Sequence, residues 1–396
     1  MIMTAAVIEG FEEELARAEQ EIAKLQSRLQ QAPADLQSRV RLAYRMNHRA
    51  SLTGRMADLE ETQAAVTSAI QEFGPKEDLC LLQANLDAHL HRIANARNDL
   101  AMAPCLAGRF EARTLLADLD FQEGRYDEAR LTLEELIHEN RTWDNLARLA
   151  HWESRLGDPE KADELYMQAE DELTAKQMRS YAWLELERGL LDFRIGRFAD
   201  ARTHYTRADE SYPGYWHTDE HVAELLGAEN QFDTAAALLL EVIERTHKPE
   251  LQQALAEIYI LTGRSDEAEP WLDKALASYL DSVKRGGVHY LHHLADFFTD
   301  VRPNPAEALA WARKDYALRS NFSTQAALAR ALHLNGKIAE AVATIEAALS
   351  SGIKDAMIYS CAAEIFASAG RAVESRTYAD AALQLNPRHG SFHIHH

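Results

Sequence analysis

Two stretches of the chain carry histidine and acidic residues at one common spacing. The first places His217, Glu220, His221 and Glu224 at positions i, i+3, i+4 and i+7. Residues at these spacings share one face of an α-helix. Mixed imidazole and carboxylate ligands suit Zn, Fe, Mn or Ni. The stretch therefore predicts a helix with a candidate metal-binding stripe, on which Glu220 or Glu224 would act as a ligand or as a general base.

The second stretch repeats this spacing within residues 289–296, and the segment between the two has Glu250, Gln253 and Glu257 in corresponding places. If the three helix faces line one cavity, the expected metal ligands are His217, His221, Glu224, Glu257, His289, His292 and Asp296. Neighbouring helix axes pack about 8–10 Å apart. One ion could therefore join Glu257 to either stripe, whereas contact with both stripes would need a tightly coiled chain.

A polar groove for a basic or extended peptide is the alternative interpretation of the same residues, with the histidines as hydrogen-bond partners. The expected groove residues are Trp183, Trp216, His217, Glu220, Glu224, Gln253, Glu257, His289, His292 and Asp296. The sequence contains no Walker loop, no Gly-x-Gly-x-x-Gly motif after a strand and no Gly-x-Ser-x-Gly motif. These absences favour an interaction protein, and any enzyme would be a metal-dependent hydrolase or oxygenase. His89 and His91, near a turn, are expected at the surface.

A recurring turn motif indicates how these helices are positioned. The sequence Gly-Arg-Phe-Ala-Asp-Ala at residues 196–201 has close copies at residues 124–129 and 263–268, each between two amphipathic helical stretches. Glycine ends a helix readily because it adopts positive φ without a steric cost. The small residue five positions later lies early in the next helix, where it allows the paired helices to approach closely. The motif therefore predicts a repeated helix-turn-helix unit.

The small position that closes each turn recurs every 33 to 40 residues. It is occupied in order by Leu59, Ala96, Ala129, Ala162, Ala201, Ala235, Ala268, Ala308, Ala341 and Ser375. With Tyr205, Ala208, Pro213 and the Asn-Pro pair at residues 386–387, this period resembles the tetratricopeptide repeat family over about residues 40–388. The resemblance implies an all-α, right-handed α-solenoid of about ten helix pairs. It also implies a concave groove lined by the first helix of each pair, in which residues 183–300 would hold a partner segment.

Both ends of the chain differ from the repeats. Residues 8–32 form a charged helix with apolar residues at three- and four-residue steps, namely Leu15, Ala18, Ile22, Leu25 and Leu29. This helix would cap the first repeat or, as a short coiled coil, form a dimer. Residues 389–396 are rich in histidine. This tail would be disordered, bind metal or be the remnant of an added tag.

Composition limits the classes of partner. The net charge is −21, from 42 basic and 63 acidic residues, which argues against a general binder of nucleic acid or anionic membranes. Three widely spaced cysteines match no zinc or disulfide pattern and are expected to be reduced thiols in the core. The N-terminal residues lack a signal-peptide pattern, and no stretch is long and apolar enough to span a membrane. The sequence thus predicts a cytoplasmic protein–protein interaction scaffold, with a metal-binding protein or metal-dependent enzyme as the alternative.

Overall fold

The computed structural model describes residues 10–394, and this part of the chain is all-α, without a β-strand. Its α-helices are α1 (Phe11–Gln31), α2 (Leu36–Thr53), α3 (Met56–Phe73), α4 (Glu77–His89), α5 (Ile93–Met102), α6 (Phe110–Gln122), α7 (Tyr126–Glu139), α8 (Trp143–Leu156), α9 (Pro159–Asp171), α10 (Met178–Arg194), α11 (Phe198–Ser211), α12 (Trp216–Ala228), α13 (Phe232–Thr246), α14 (Pro249–Leu261), α15 (Ser265–Lys284), α16 (Leu291–Asp296), α17 (Pro305–Leu318), α18 (Phe322–Leu334), α19 (Ile338–Ser350), α20 (Ala356–Ser368) and α21 (Ala372–Leu385). A 3₁₀ turn, Pro104–Gly108, precedes α6, and α16 continues into a π-helical turn, Phe297–Val301.

The helices from α2 onward form successive pairs, α2 with α3 through to α20 with α21. The first helices of neighbouring pairs, such as α8, α10 and α12, also contact one another, more closely than the second helices do. The first helices therefore lie on the inner side of a solenoid, in which each pair buries its apolar face against its neighbours. Ala129, Ala201, Ala235 and Ala268, which close four of the turns, are at most 1% exposed. The predicted all-α solenoid of helix pairs is confirmed.

The N-terminal helix α1 packs along α2 and caps the solenoid. Its residues Ile22 and Leu29 form a small buried cluster with Leu42 and Met46 of α2. Of the predicted apolar stripe, Ala18, Ile22 and Leu29 are buried within the chain, whereas Leu15 and Leu25 are half-buried. Residues 8 and 9 of the predicted segment lie outside the described residues.

The solenoid coils tightly enough for distant helix pairs to touch. The indole N–H of Trp216 donates to the carbonyl oxygen of Leu52 at 2.6 Å. Farther along, the backbone N–H of Phe322 donates to the hydroxyl of Tyr126 at 2.8 Å. The amide of Lys354 similarly donates to the carbonyl of Arg155 at 2.9 Å. Because each contact joins residues more than 160 positions apart, the second half of the chain packs on the first.

The turn glycines take part in this packing. Gly196 has φ of +77° and Gly124 has φ of +80°, as the turn motif predicts. A Cβ at Gly124 would lie 2.8 Å from the carbonyl oxygen of Ser320, and one at Gly196 would lie 2.7 Å from Oδ1 of Asn386. Glycine is thus required at these turns both for positive φ and for the close approach of a later part of the chain.

The three cysteines differ in their exposure to solvent. The cysteines were predicted to be core thiols, but only Cys80 is buried, whereas Cys361 is half-buried and Cys105 is exposed. The prediction was wrong for Cys105 because it belongs to the 3₁₀ turn before α6, which presents its side chain to solvent. Among the described residues, the helices lack the length and apolar character needed to cross a membrane.

Candidate functional site

The predicted stripe on α12 forms a compact polar group. One ligand atom each from His217, Glu220 and His221 lies within 4.8 Å of the others, and these three residues are called the α12 group below. Nδ1 of His217 is 3.7 Å from Oε2 of Glu220, and the two imidazole rings are 4.8 Å apart at nearly perpendicular planes. Helix geometry alone brings these residues together, because i, i+3 and i+4 positions lie on one face.

Glu224 extends the group by one helical turn. Its Oε2 is 3.2 Å from Nδ1 of His221, and both residues are buried. Its other oxygen, Oε1, accepts a hydrogen bond of 2.9 Å from the backbone N–H of Ile394. The carboxylate therefore links the predicted stripe to the C-terminal segment.

Lys248, a residue that the sequence analysis did not select, lies beside the α12 group. Its ammonium is 3.0 Å from Oε1 of Glu250 and 3.8 Å from Oε2 of Glu220, and it lies over the ring of Trp216 at 4.9 Å. Burial alone would lower the pKa of Lys248, but the two carboxylates outweigh burial and raise it. Burial would likewise raise the pKa of Glu250, yet Lys248 holds it at about 2. The sequence signal for Lys248 was a basic residue directly before α14, next to Glu250.

His217 is poised as a neutral imidazole. Burial lowers its pKa to about 4, although the nearby Glu220 carboxylate opposes this shift. Nδ1 of His217 is buried and has no hydrogen-bond partner among the described residues. A neutral imidazole nitrogen is the form that binds a metal ion or accepts a hydrogen bond.

The predicted residues of the second stripe belong to a different cluster. His289 stacks on His91 at a ring distance of 5.1 Å and on His89 at 6.2 Å, and His292 meets His91 edge-on at 5.7 Å. These four residues are called the histidine column below. His89 is solvent-accessible, and His91 is half-buried. The predicted surface position is confirmed for His89, whereas His91 is half-buried because coiling of the chain brings α16 against the end of α4.

Arg319 ties the histidine column to α17. Its guanidinium donates to Nδ1 of His91 at 3.3 Å and to Nδ1 of His292 at 3.2 Å, and it also pairs with the carboxylate of Asp315. Burial, followed by the charge of Arg319, holds the pKa of His91 well below its usual range. Burial and neighbouring bases do the same for His292, and burial lowers the pKa of His289 to about 4. The column is therefore made of neutral imidazoles.

The remaining predicted residues lie on α14 and α16. Gln253 is buried, accepts a hydrogen bond from the hydroxyl of Tyr279 at 3.1 Å and donates to Glu257 at 2.9 Å. Asp296 is half-buried in the last turn of α16. The α12 group is the one set of three or more metal-ligating side chains that residues 10–394 bring this close together.

The two tryptophans predicted for the groove occupy different environments. Trp183 of α10 is half-buried and packs edge-on against Trp143 at 6.0 Å. Trp216 is 6% exposed, and its hydrogen bond to Leu52 places it between distant helix pairs. Of the two, Trp183 retains surface that a partner can reach.

Comparison with known proteins identifies repeats in two parts of the chain. Residues 226–285 and residues 323–347 match family models described as tetratricopeptide repeat. No curated protein matches the chain by sequence.

Several solved structures resemble the fold at low sequence identity. The APC/C hetero-tetramer Cut9-Hcn1 is 13% identical with a TM-score of 0.45, and the match covers 87% of this chain and 74% of that one. Yeast Tom70 is 16% identical with a TM-score of 0.38, covering 93% and 96% of the two chains. A tetratricopeptide repeat protein from Parabacteroides merdae is 16% identical with a TM-score of 0.44, covering 64% and 98%. At these values the likeness supplies no argument about function.

Proposed function

We propose, from the premise that the chain is a tetratricopeptide-repeat protein, that it is an interaction scaffold whose inner face holds a segment of a partner protein. The observation that carries the proposal is a set of buried and half-buried ionisable side chains on the first helices α12 and α14 and directly before α14 and α16, namely Glu220, His221, Glu224, Lys248, Glu250 and His289. Such groups are costly to bury and are over-represented at functional sites. Their position on the inner surface of a solenoid, rather than scattered over its outside, supports a binding role.

The acidic character of this face favours a basic partner segment. Glu220, Glu224, Glu250 and Glu257 lie on α12 and α14, and Glu257 is the least buried of the four. Burial lowers the pKa of His217 on α12, so this imidazole adds no positive charge at neutral pH. Lys248 offsets part of this negative charge. The excess of acidic residues in the whole chain adds to attraction at long range.

Photo-crosslinking in cells tests the proposal. A crosslinking amino acid replaces Trp183 on the inner helix α10 and, as a control, Leu131, which is 54% exposed on the second helix α7. We expect the Trp183 position to give a discrete adduct with one partner and the Leu131 position to give none. Glu257→Lys should reduce the adduct at least fivefold, whereas Glu241→Lys on the exposed face of α13 should leave it unchanged. Equal adducts at both positions, or no effect of Glu257→Lys, would contradict the proposal.

A metal-binding function is the second candidate, and the geometry of the α12 group favours it. The group offers two imidazoles and a carboxylate, and within residues 10–394 Nδ1 of His217 has no hydrogen-bond partner. Zinc bonds of about 2.0–2.2 Å place two ligands at most about 4 Å apart, so small rotations would close the present spacing. The ammonium of Lys248 next to Glu220 opposes a divalent cation. Binding would require the ammonium of Lys248 to move away from Glu220 while keeping its ion pair with Glu250.

Titration calorimetry with Zn²⁺ and Mn²⁺ separates the two candidates. A metal protein should bind about one ion per chain, and His217→Ala or His221→Ala should abolish this binding, whereas His138→Ala on α7 should not. Comparison between variants removes any contribution from the histidine-rich tail, which all of them retain. Binding that is absent, or that persists in His221→Ala, would remove the metal function.

A further inference from the structure

The C-terminal segment lies on the inner face of the solenoid. Phe392 is 9% exposed and Ile394 is 6% exposed, and both belong to the main hydrophobic core. Immediately before them, Arg388 lies over the ring of Phe198 at 4.8 Å. The segment was expected to be a disordered end, a metal ligand or a tag remnant, yet its described part, up to Ile394, is packed. Residues 395 and 396 lie outside the described residues.

A gap in the side chains of α12 accommodates the aromatic ring. Gly227, in the last turn of α12, is in contact with Phe392, and a methyl group at this position would overlap the ring. Gly227 is not among the residues with positive φ, so its backbone does not require glycine. In a helix interior glycine costs about 1 kcal/mol relative to alanine. The space that it leaves for an aromatic ring is the physical reason for glycine here.

Two further contacts hold the residues after the ring. The backbone N–H of Ile394 donates to Oε1 of Glu224 at 2.9 Å, and the imidazole of His393 packs edge-on against Phe193 of α10 at 5.2 Å. Together these contacts form a slot on α10 and α12, lined by Phe193, Glu224 and Gly227. The slot holds an aromatic side chain, one backbone N–H and an aliphatic side chain. The side chain between them, His393, lies between the ring of Phe193 and the carboxylate of Glu224.

The slot is reached from outside. An open pocket of about 610 Å³ adjoins the segment and is lined in part by Asn230, Gln231, Arg388 and Ser391. This pocket lies beside the turn between α12 and α13. The segment is joined to α12 at Glu224, whose Oε1 accepts from the N–H of Ile394 and lies 4.0 Å from Nδ1 of His393.

We propose that the inner face of α10 and α12 is a peptide-binding slot for an aromatic-x-aliphatic segment, and that Phe392, His393 and Ile394 occupy it until a partner segment of the same pattern replaces them. This inference rests on the proposed function, since it names the partner chemistry of the same inner face. A tethered segment has an effective concentration in the millimolar range. An incoming segment of equal intrinsic affinity must therefore bind at least tenfold more weakly to the intact chain.

Fluorescence anisotropy tests the slot with a labelled peptide of residues 388–396. The full-length Phe392→Ser, Ile394→Ser double variant frees the slot. We expect it to bind the peptide with a micromolar Kd and the unmodified protein to bind at least tenfold more weakly. Adding Gly227→Ala to the double variant should reduce affinity at least tenfold. A peptide with serine at both apolar positions is the negative control.

A second variant distinguishes loss of peptide binding from loss of folding. Glu224→Gln retains size and an acceptor oxygen, so it should weaken peptide binding severalfold in the double variant while circular dichroism stays unchanged. No binding to the double variant, equal binding to the unmodified protein, or binding unaffected by Gly227→Ala would overturn the inference. Crosslinking from Trp183 reports on the cellular partner and does not depend on this peptide, so failure of the slot and failure of the scaffold function are distinguishable.

Discussion

The α12 group and the histidine column both collect imidazoles on the inner face, but the partners of those imidazoles differ. In the α12 group, His217 and His221 meet Glu220 within one helix, next to the ammonium of Lys248. In the column, imidazoles from both halves of the chain meet one another and the guanidinium of Arg319.

The two regions should therefore lose stability under different changes in charge. The α12 region contains opposite charges, so removal of one partner leaves another buried and unpaired. The column is dominated by bases, with Asp315 already paired to Arg319, so added protons place positive charge beside positive charge. We therefore expect the α12 region to be sensitive to mutation of a charged residue and the column to be sensitive to acid.

The largest effect is expected from Lys248→Met. The substitution leaves Glu220 and Glu250 buried without their shared cation, and breaking a buried pair in this way costs about 3–5 kcal/mol. Urea unfolding at pH 7 measures the loss. Lys284→Met, at an exposed position of α15, is the matched control and should change stability by less than about 0.5 kcal/mol. A loss no larger than that of the control would remove the electrostatic role of Lys248.

The next effect is acid destabilisation through the column. The pKa of His289 is about 4, and those of His91 and His292 lie well below 6.5, because burial disfavours the charged form. Between about pH 6.5 and pH 4 the unfolded chain binds more protons than the folded chain, so the free energy of unfolding falls as pH falls. After allowance for solvent access, we expect a loss on the order of 2–3 kcal/mol between pH 7 and pH 5.

Paired substitutions assign that acid effect to the column. In the His91→Asn, His292→Asn variant, the difference in unfolding free energy between pH 7 and pH 5 should shrink by about half. His247→Asn, at an exposed position with φ of +58° that asparagine tolerates, should leave the difference unchanged. The pair of Lys248 with Glu250 should persist in this range, because the pKa of Glu250 is about 2 and its contribution is lost only below about pH 4.5. Equal pH dependence in all three proteins would refute the comparison.

A smaller effect is expected at the contact that fixes the α12 group against the first half of the chain. Trp216→Phe removes the buried hydrogen bond to Leu52 and leaves that carbonyl unpaired, at a cost of about 1–2 kcal/mol. Trp152→Phe is the control, since its indole donates to Tyr126 at 3.0 Å between neighbouring helices and is half-buried. Equal losses of unfolding free energy in the two variants would show that the hydrogen bond between distant helix pairs stabilises the fold no more than one between neighbouring helices.

The smallest effect is expected from His89→Ala. His89 is solvent-accessible, and its ring lies 6.2 Å from that of His289. The substitution should change the unfolding free energy by less than about 0.5 kcal/mol, whereas His91→Ala, which also loses contacts with Gln122 and Arg319, should cost about 1–2 kcal/mol. Similar losses at the two positions would mean that the column is one uniform stack.

The repeated unit and the α12 group could be predicted from local sequence patterns. Glycine at residue 196 and alanine at residue 201 specify a turn and a close helix pair, because positive φ and a small side chain are local requirements. The spacing of His217, Glu220 and His221 specifies one helix face, because 3.6 residues per turn is a property of any α-helix.

Contacts between distant helix pairs of the solenoid depend on its tertiary structure. The curvature of a solenoid is the sum of small rotations between successive pairs, and no local pattern encodes that sum. For this reason the contact of His89 and His91 with His289 could not be read from their spacing. Lys248 and Ile394 likewise reach the α12 region because of where folding brings them, and burial there, rather than residue type, sets the pKa values of the histidines.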